Sequence, residues 1–81
     1  MEIQAVMPRV GENVTSVYIV ELVAKIGQVI SVGDVLVTVE TDKATVEVLA
    51  EAAGTLTKIL VVLDQEIAPG EPFAVIESGE Q

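Results

Sequence analysis

The sequence predicts an all-β domain, a sandwich or barrel of short antiparallel strands made from two similar halves, and three observations lead there. Half of the 81 residues are apolar, yet Tyr18 and Phe73 are the only aromatics, so the core has to be assembled from Val, Ile, Leu and Ala. Most of these are β-branched or compact side chains that suit strands. Apolar runs of four to seven residues recur between breakers, and no stretch holds a helical period over three turns. Finally, sliding the sequence against itself by 37 positions aligns Gln28 with Gln65, Ile30 with Ile67, Gly33 with Gly70 and Glu40 with Glu77. The apolar positions follow, with Ile19 on Leu56, Ile26 on Leu63, Leu36 on Phe73 and Val39 on Ile76, and the acidic partner of the turn glycine, Asp34, falls on Glu71. Two such halves are expected to pack face to face about an approximate two-fold axis.

The breakers delimit the elements in order. A first strand near residues 2–6 is closed by Pro8 and Gly11, and a second near 16–23 by Gly27. Strands near 29–31 and 35–40 are separated by Gly33 and Asp34, and a strand near 45–49 follows the short polar break at 41–44. Gly54 precedes a strand near 55–61, and Pro69 with Gly70 divides strands near 66–68 and 73–77. The domain is expected to occupy residues 1–77, and the small polar tail 78–81 to begin a flexible linker within a longer chain.

Between residues 35–40 and 45–49 the register of a hairpin follows from side-chain alternation. With Asp42 and Lys43 as a two-residue loop, Thr41 faces Ala44, Glu40 faces Thr45, Val39 faces Val46, Thr38 faces Glu47 and Val37 faces Val48. One face is then all valine and the other mostly polar. Moving the loop one place along would set Glu40 against Glu47, which repulsion disfavours. Lys43 is therefore expected at the tip, exposed, with Glu40, Asp42 and Glu47 nearby. Two-residue hairpins usually use Asn-Gly or Asp-Gly because primed turns need positive φ. Asp42-Lys43 lacks glycine, which points to a role for the tip beyond turning the chain.

Thirteen acidic against four basic residues give a net charge of −9, and Arg9, Lys25, Lys43 and Lys58 are scattered. Nucleic acid is not an expected partner, since phosphate binding needs a basic face. Neither is a membrane, since the longest strictly apolar runs, such as 59–63, are far too short to span one. The N-terminus lacks the basic start and apolar stretch of a signal peptide, and no cysteine is present. Both suit a cytoplasmic location, or the mitochondrial matrix in a eukaryote. Without histidine, and with Ser16, Ser31 and Ser78 lacking an activating neighbour, free-standing catalysis is not expected. The pair Glu40 and Asp42 has no EF-hand spacing around it, so no metal site is expected.

A turn lysine alone reads as a solvated residue that blunts a sheet edge. Its setting changes that reading. Val39-Glu40-Thr41-Asp42-Lys43-Ala44-Thr45 resembles the lipoylation motif of lipoyl domains, in which Asp-Lys-Ala sits on a β-turn. The resemblance covers nearly the whole chain. Residues 7–12, Met-Pro-Arg-Val-Gly-Glu, are similar to the family's exit from its first strand, Gly27 and Gly54 stand at its glycine positions, and Val32-Gly33-Asp34 is similar to its turn before the hairpin. Two departures occur: Asp64 stands where glycine is common, and residues 49–52 replace a segment that often bears proline.

The resemblance implies a flattened β-barrel of two four-stranded antiparallel sheets, with lipoate joined to Lys43 by an amide and Asp42 and Ala44 framing it. It implies a non-catalytic carrier domain of a dihydrolipoamide acyltransferase component, monomeric in isolation, serving a 2-oxoacid dehydrogenase complex. The implied partners are a lipoyl ligase or transferase, a decarboxylating component with thiamine diphosphate, an acyltransferase catalytic domain and a lipoamide dehydrogenase. Partner recognition is expected from Glu40 and Glu47, and from the loop bearing Arg9, Glu12 and Asn13. Three other readings compete. A biotinyl carrier shares the fold but usually sets its lysine between methionines; a glycine cleavage carrier is longer; and a plain β-module would leave Lys43 unmodified.

Overall fold

The computed structural model describes residues 2–9 and 14–78. Eight strands follow in order: β1 Glu2–Val6, β2 Val17–Leu22, β3 Val29–Ile30, β4 Val35–Glu40, β5 Thr45–Leu49, β6 Gly54–Ile59, β7 Glu66–Ile67 and β8 Pro72–Glu77. All eight expected strands are found. Their ends shift by one or two residues, most at β6, which stops at Ile59, paired with Ala74, although the Leu60 N–H still donates to the Phe73 carbonyl. The strands form two four-stranded antiparallel sheets, ordered β1-β8-β6-β3 and β5-β4-β2-β7.

The 37-residue repeat is the plan of this architecture. It carries β2 onto β6, β3 onto β7 and β4 onto β8, and β1 takes in its sheet the place that β5 takes in the other. Irregularities repeat too. Leu36 is an extra residue on β4 opposite β5, and Phe73 is its equivalent on β8 opposite β1. Val20 and Thr57 are the matching extra residues on β2 and β6. A bulge lets two successive residues face inward where alternation allows one. Leu36 and Val37 are accordingly both buried, as are Phe73 and Ala74. At Leu36 and Phe73 the sequence offered no sign of the bulge, since a residue added inside an apolar run leaves the run apolar.

The core lies between the sheets and is wholly apolar. Val17, Ile19, Ile30, Leu36, Val39, Leu56, Phe73 and Ile76 are almost completely buried, and no polar or charged residue is buried among the described residues. Burial of that kind stabilises by about 1.5–3 kcal/mol for each large side chain. The molecule is elongated, 41 × 21 × 18 Å. The β4–β5 hairpin tip lies at one end, and the two-fold places the paired ends of β1 and β8, Glu2 beside Glu77, at the other.

Two positions carry backbone demands. Gly54 lies so close to β8 that a Cβ there would fall onto the Glu77 carbonyl oxygen and 2.7 Å from Ile76 Cγ2. Asp64 has φ 69°, in the left-handed region, at the repeat equivalent of Gly27 with φ 93°. Both turns close alike: Gln28 N donates to the Lys25 carbonyl and Gln65 N to the Val62 carbonyl. Departure from the family's glycine at position 64 has therefore left the turn intact, with a strained residue in it.

Candidate functional site

The hairpin holding Lys43 has the register that alternation demanded. Glu40 pairs with Thr45, Val39 with Val46, Thr38 with Glu47 and Val37 with Val48. Val37, Val39 and Val48 are buried and Val46 is partly buried against them, whereas Glu40, Thr45 and Glu47 are exposed. A one-residue slip would turn the valines outward, so the core itself fixes which residues reach the tip. Asp42, Lys43 and Ala44 are all exposed there.

The turn is not of the primed kind that a two-residue loop usually takes. Neither Asp42 nor Lys43 has positive φ, and Asp64 is the only non-glycine residue with positive φ among those described. Thr41 supplies what glycine would otherwise make possible. Its backbone N–H donates to the Ala44 carbonyl at 2.8 Å. Its hydroxyl oxygen accepts from the N–H of Lys43 at 3.2 Å and of Ala44 at 3.0 Å, and the hydroxyl donates to the Ala44 carbonyl at 3.1 Å. Short hydroxyl side chains commonly satisfy turn amides in this way. Thr41 is thus the positioning residue that the sequence reading passed over; the signal was a threonine two residues before the lysine in a turn without glycine.

Beside the tip lies a cleft of about 220 Å³, bounded by the segment 14–16, by Tyr18 and by the run Glu40 to Asp42. Its walls are anchored. Val14 packs on the core, Tyr18 pairs with Glu40 across β2 and β4, and the Ser16 hydroxyl donates to Glu66 Oε2 at 2.6 Å. Tyr18 is nonetheless 49% exposed, leaving much of its ring open.

The outer face of the β5-β4-β2-β7 sheet is acidic. One row across it runs Thr45, Glu40, Tyr18, Glu66 and the next Glu47, Thr38, Glu21, so four carboxylates stand there without a basic residue in either row. Of the residues expected to meet partners, Glu40 and Glu47 lie on this face next to the tip. Arg9 is exposed and follows buried Met7, whose N–H and carbonyl bond to Glu71 and Gly70. Glu12 and Asn13 lie outside the described residues, but the end of their loop, Val14 and Thr15, does come against the tip.

Comparison with known proteins agrees with this geometry. The profile of a family described as biotin-requiring enzyme, covering biotin and lipoyl domains, matches residues 3–76. The chain is 32% identical over 80 residues to the dihydrolipoyllysine-residue succinyltransferase component of the 2-oxoglutarate dehydrogenase complex of Rickettsia bellii, covering 99% of this chain and 20% of that protein. It is 35% identical over 78 residues to the dihydrolipoyllysine-residue acetyltransferase component of the pyruvate dehydrogenase complex of Haemophilus influenzae, covering 96% of this chain and 13% of that protein. The chain therefore spans a fifth or less of these relatives. Among solved structures, the lipoyl domain of the Azotobacter vinelandii 2-oxoglutarate dehydrogenase complex superposes with TM-score 0.67 at 29% identity, covering 98% of this chain and 99% of that one. A segment of Kluyveromyces lactis urea carboxylase shares the fold, with TM-score 0.80 at 22% identity over 95% of this chain and 6% of that one. The resemblance read from residues 39–45 is thus matched along the whole length, and the chain belongs to the biotin and lipoyl attachment family, as a lipoyl-type carrier domain.

Proposed function

We propose that Lys43 is the lipoylated residue, and that the domain carries acyl groups and reducing equivalents between the active sites of a 2-oxoacid dehydrogenase complex as part of its acyltransferase component. The observation that carries this reading is the placement of Lys43: exposed, at the tip of a hairpin whose register the valine core pins, between Asp42 and Ala44. An enzyme that must admit an amine needs it projecting from a defined surface, and paired strands supply that better than a loose loop. The residues fit the group, since Lys43 is exposed at the tip and the amide would form on its Nζ, clear of the folded strands. Bound lipoate supplies a redox-active disulfide, chemistry that this cysteine-free chain lacks.

The chain's own part is positioning. Thr41 holds the tip, and tethering within a longer chain gives the arm an effective concentration of about millimolar at neighbouring sites. In this reading the domain has no catalytic residues of its own. Its partners are the ligase or transferase that loads it, the decarboxylating component, the acyltransferase catalytic domain and the lipoamide dehydrogenase, and Glu40 and Glu47 offer them an acidic surface beside the arm. The test is peptide mass mapping after incubation with a lipoyl ligase, lipoate and ATP. Lipoate on Lys43 alone is expected. Modification of Lys25 or Lys58, or of none, would sink the assignment, and transfer of biotin instead by a biotin ligase would move the domain to the biotinyl branch.

A further inference from the structure

We infer that two copies of this chain exchange halves through the lysine hairpin, forming a dimer in which β1 to β4 of each copy pack with β5 to β8 of the other and Lys43 stands opposite Asp42 of the second copy. Strands before the tip depend on strands after it. β1 pairs with β8, β2 with β7, β3 with β6 and β4 with β5, and among the described residues only β2 with β4 and β6 with β8 pair within a half. A half on its own therefore keeps one strand pair and leaves its apolar face open, while each half is the complement of the other. The match is selective. At the equivalent bulges the first half carries Leu36 and Val37 and the second Phe73 and Ala74, so a first half fits a second half better than it fits another first half. The tip is the one covalent link between the halves, and a second copy opened there supplies every pairing that the chain makes across its own two-fold.

The tip is suited to opening. In the hairpin Glu40 pairs with Thr45 and Val39 with Val46, and that register runs past a two-residue loop without a gap. Carried into an opened ladder, it sets Thr41 opposite Ala44, and Asp42 opposite Lys43, of the second copy. The dimer's two-fold makes the Asp42 to Lys43 pair twice at the crossing, and opposite charges facing each other across strands attract. What the crossing replaces is a turn held by exposed hydrogen bonds of Thr41, open to competition from water. Neither Asp42 nor Lys43 has positive φ, so extension changes ψ while φ stays on the side that strands use. The closed monomer prevails in dilute solution, because the tip holds its two halves at high effective concentration. Interconversion requires the cross-half strands to separate, so each form persists once folded. Acylation cancels the Lys43 charge and removes both crossing pairs, so a loaded domain exchanges less. That consequence rests on the lipoylation proposed above; the exchange itself does not.

The experiment traps the exchange with a disulfide, which this cysteine-free chain lacks. Glu2 and Glu77 pair across β1 and β8, at the pole away from the tip. A chain with Glu2→Cys and Glu77→Cys therefore cross-links to itself in the closed monomer and to a second chain after exchange. It is unfolded in urea with reductant, refolded by dilution at increasing protein concentration, then oxidised and run on a denaturing gel without reductant. A covalent dimer whose share rises with concentration is expected. Lys43→Asp in this background sets carboxylates against each other at the crossing and is expected to lower the share about tenfold, and adding Asp42→Lys to restore it, with circular dichroism confirming the fold of each. Cross-links confined to single chains at every concentration would overturn the exchange even if light scattering found dimers, because copies packed side by side keep their own halves. Equal shares with and without the charge reversals would overturn the crossing that sets Lys43 against Asp42. Lipoylated protein, verified by intact mass, is expected to give a smaller share, and an undiminished one would overturn the coupling to acylation. A mass that stays unmodified would count against the lipoylation reading and leave the exchange to be judged by the cross-links.

Discussion

Replacing Thr41 by valine removes a hydroxyl and little else, since the two side chains have similar shape and both suit strands. In the structure that hydroxyl takes part in three hydrogen bonds at the tip, to Lys43 N, Ala44 N and the Ala44 carbonyl. Each intramolecular bond contributes about 0.5–1.5 kcal/mol net when well formed. All three lie where water reaches, and the Thr41 N to Ala44 carbonyl bond survives the change, so the sum overstates the loss. About 1 kcal/mol is the expected cost, equivalent to a fall in Tm of roughly 4–8 °C for a domain of this size. The local consequence is more diagnostic than the global one. Hydrogen exchange at Lys43 and Ala44 is expected to accelerate by at least about fivefold through local opening of the tip, while Val37, Val39 and Val48, which exchange on global unfolding, accelerate by no more than the roughly fivefold that about 1 kcal/mol of lost stability gives. Lipoylation by the ligase should slow in parallel, and Thr41→Ser, which keeps the hydroxyl, should restore most of both. Unchanged exchange at Lys43 and Ala44 in a folded Thr41→Val domain would refute the claim that this side chain holds the tip.

Asp64→Gly relieves a left-handed residue at the equivalent of Gly27 and should raise stability by about 0.5–1 kcal/mol in urea denaturation, part of the strain relief being offset by unfolded-state entropy; a loss would contradict the strain assigned there. Gly54→Ala drives a methyl group into the Glu77 backbone, and a cost of about 3 kcal/mol is expected, with parental stability ruling out the close approach of β6 and β8. Inserting one glycine between Thr41 and Asp42 keeps Asp-Lys-Ala but displaces the lysine. A domain with unchanged circular dichroism and much slower lipoylation is expected, and an equal rate would mean that the ligase reads the tripeptide alone.

Much of this fold was legible because its punctuation is chemical. Gly33, Gly70 and Gly27 sit at positive φ in the turns they were expected to make, and the polar break at 41–44 separates β4 from β5 as the alternation required. The hairpin register was readable because a slip would have exposed four valines at once. The bulges were not, because Leu36 lies within a continuous apolar run and pairing can be counted only with both strands in view. Turn chemistry at the tip misled for a different reason: the expectation rested on φ at Asp42 and Lys43, while the solution lay in the side chain of the residue before them. The cleft had no local signature at all. Segment 14–16 meets residues 40–42 only through the pairing of Tyr18 with Glu40, a contact between residues far apart in the chain.

The repeat also has a mechanical consequence. By the two-fold, the place occupied by the lysine hairpin in one half is occupied in the other by the paired ends of β1 and β8, Glu2 against Glu77. Any chain that continues beyond those ends leaves from the pole opposite Lys43. In a longer chain tethered at that pole, the 41 Å long axis would act as a stiff spacer between the tether and Lys43. Rotation about such a tether would sweep Lys43 over a sphere, with the body of the domain between the tether and the tip. The same closeness of the ends makes the backbone nearly a closed ring, so a short loop joining them, with new ends opened at the exposed Gly70 turn, should yield a permuted domain with the payload still at its tip.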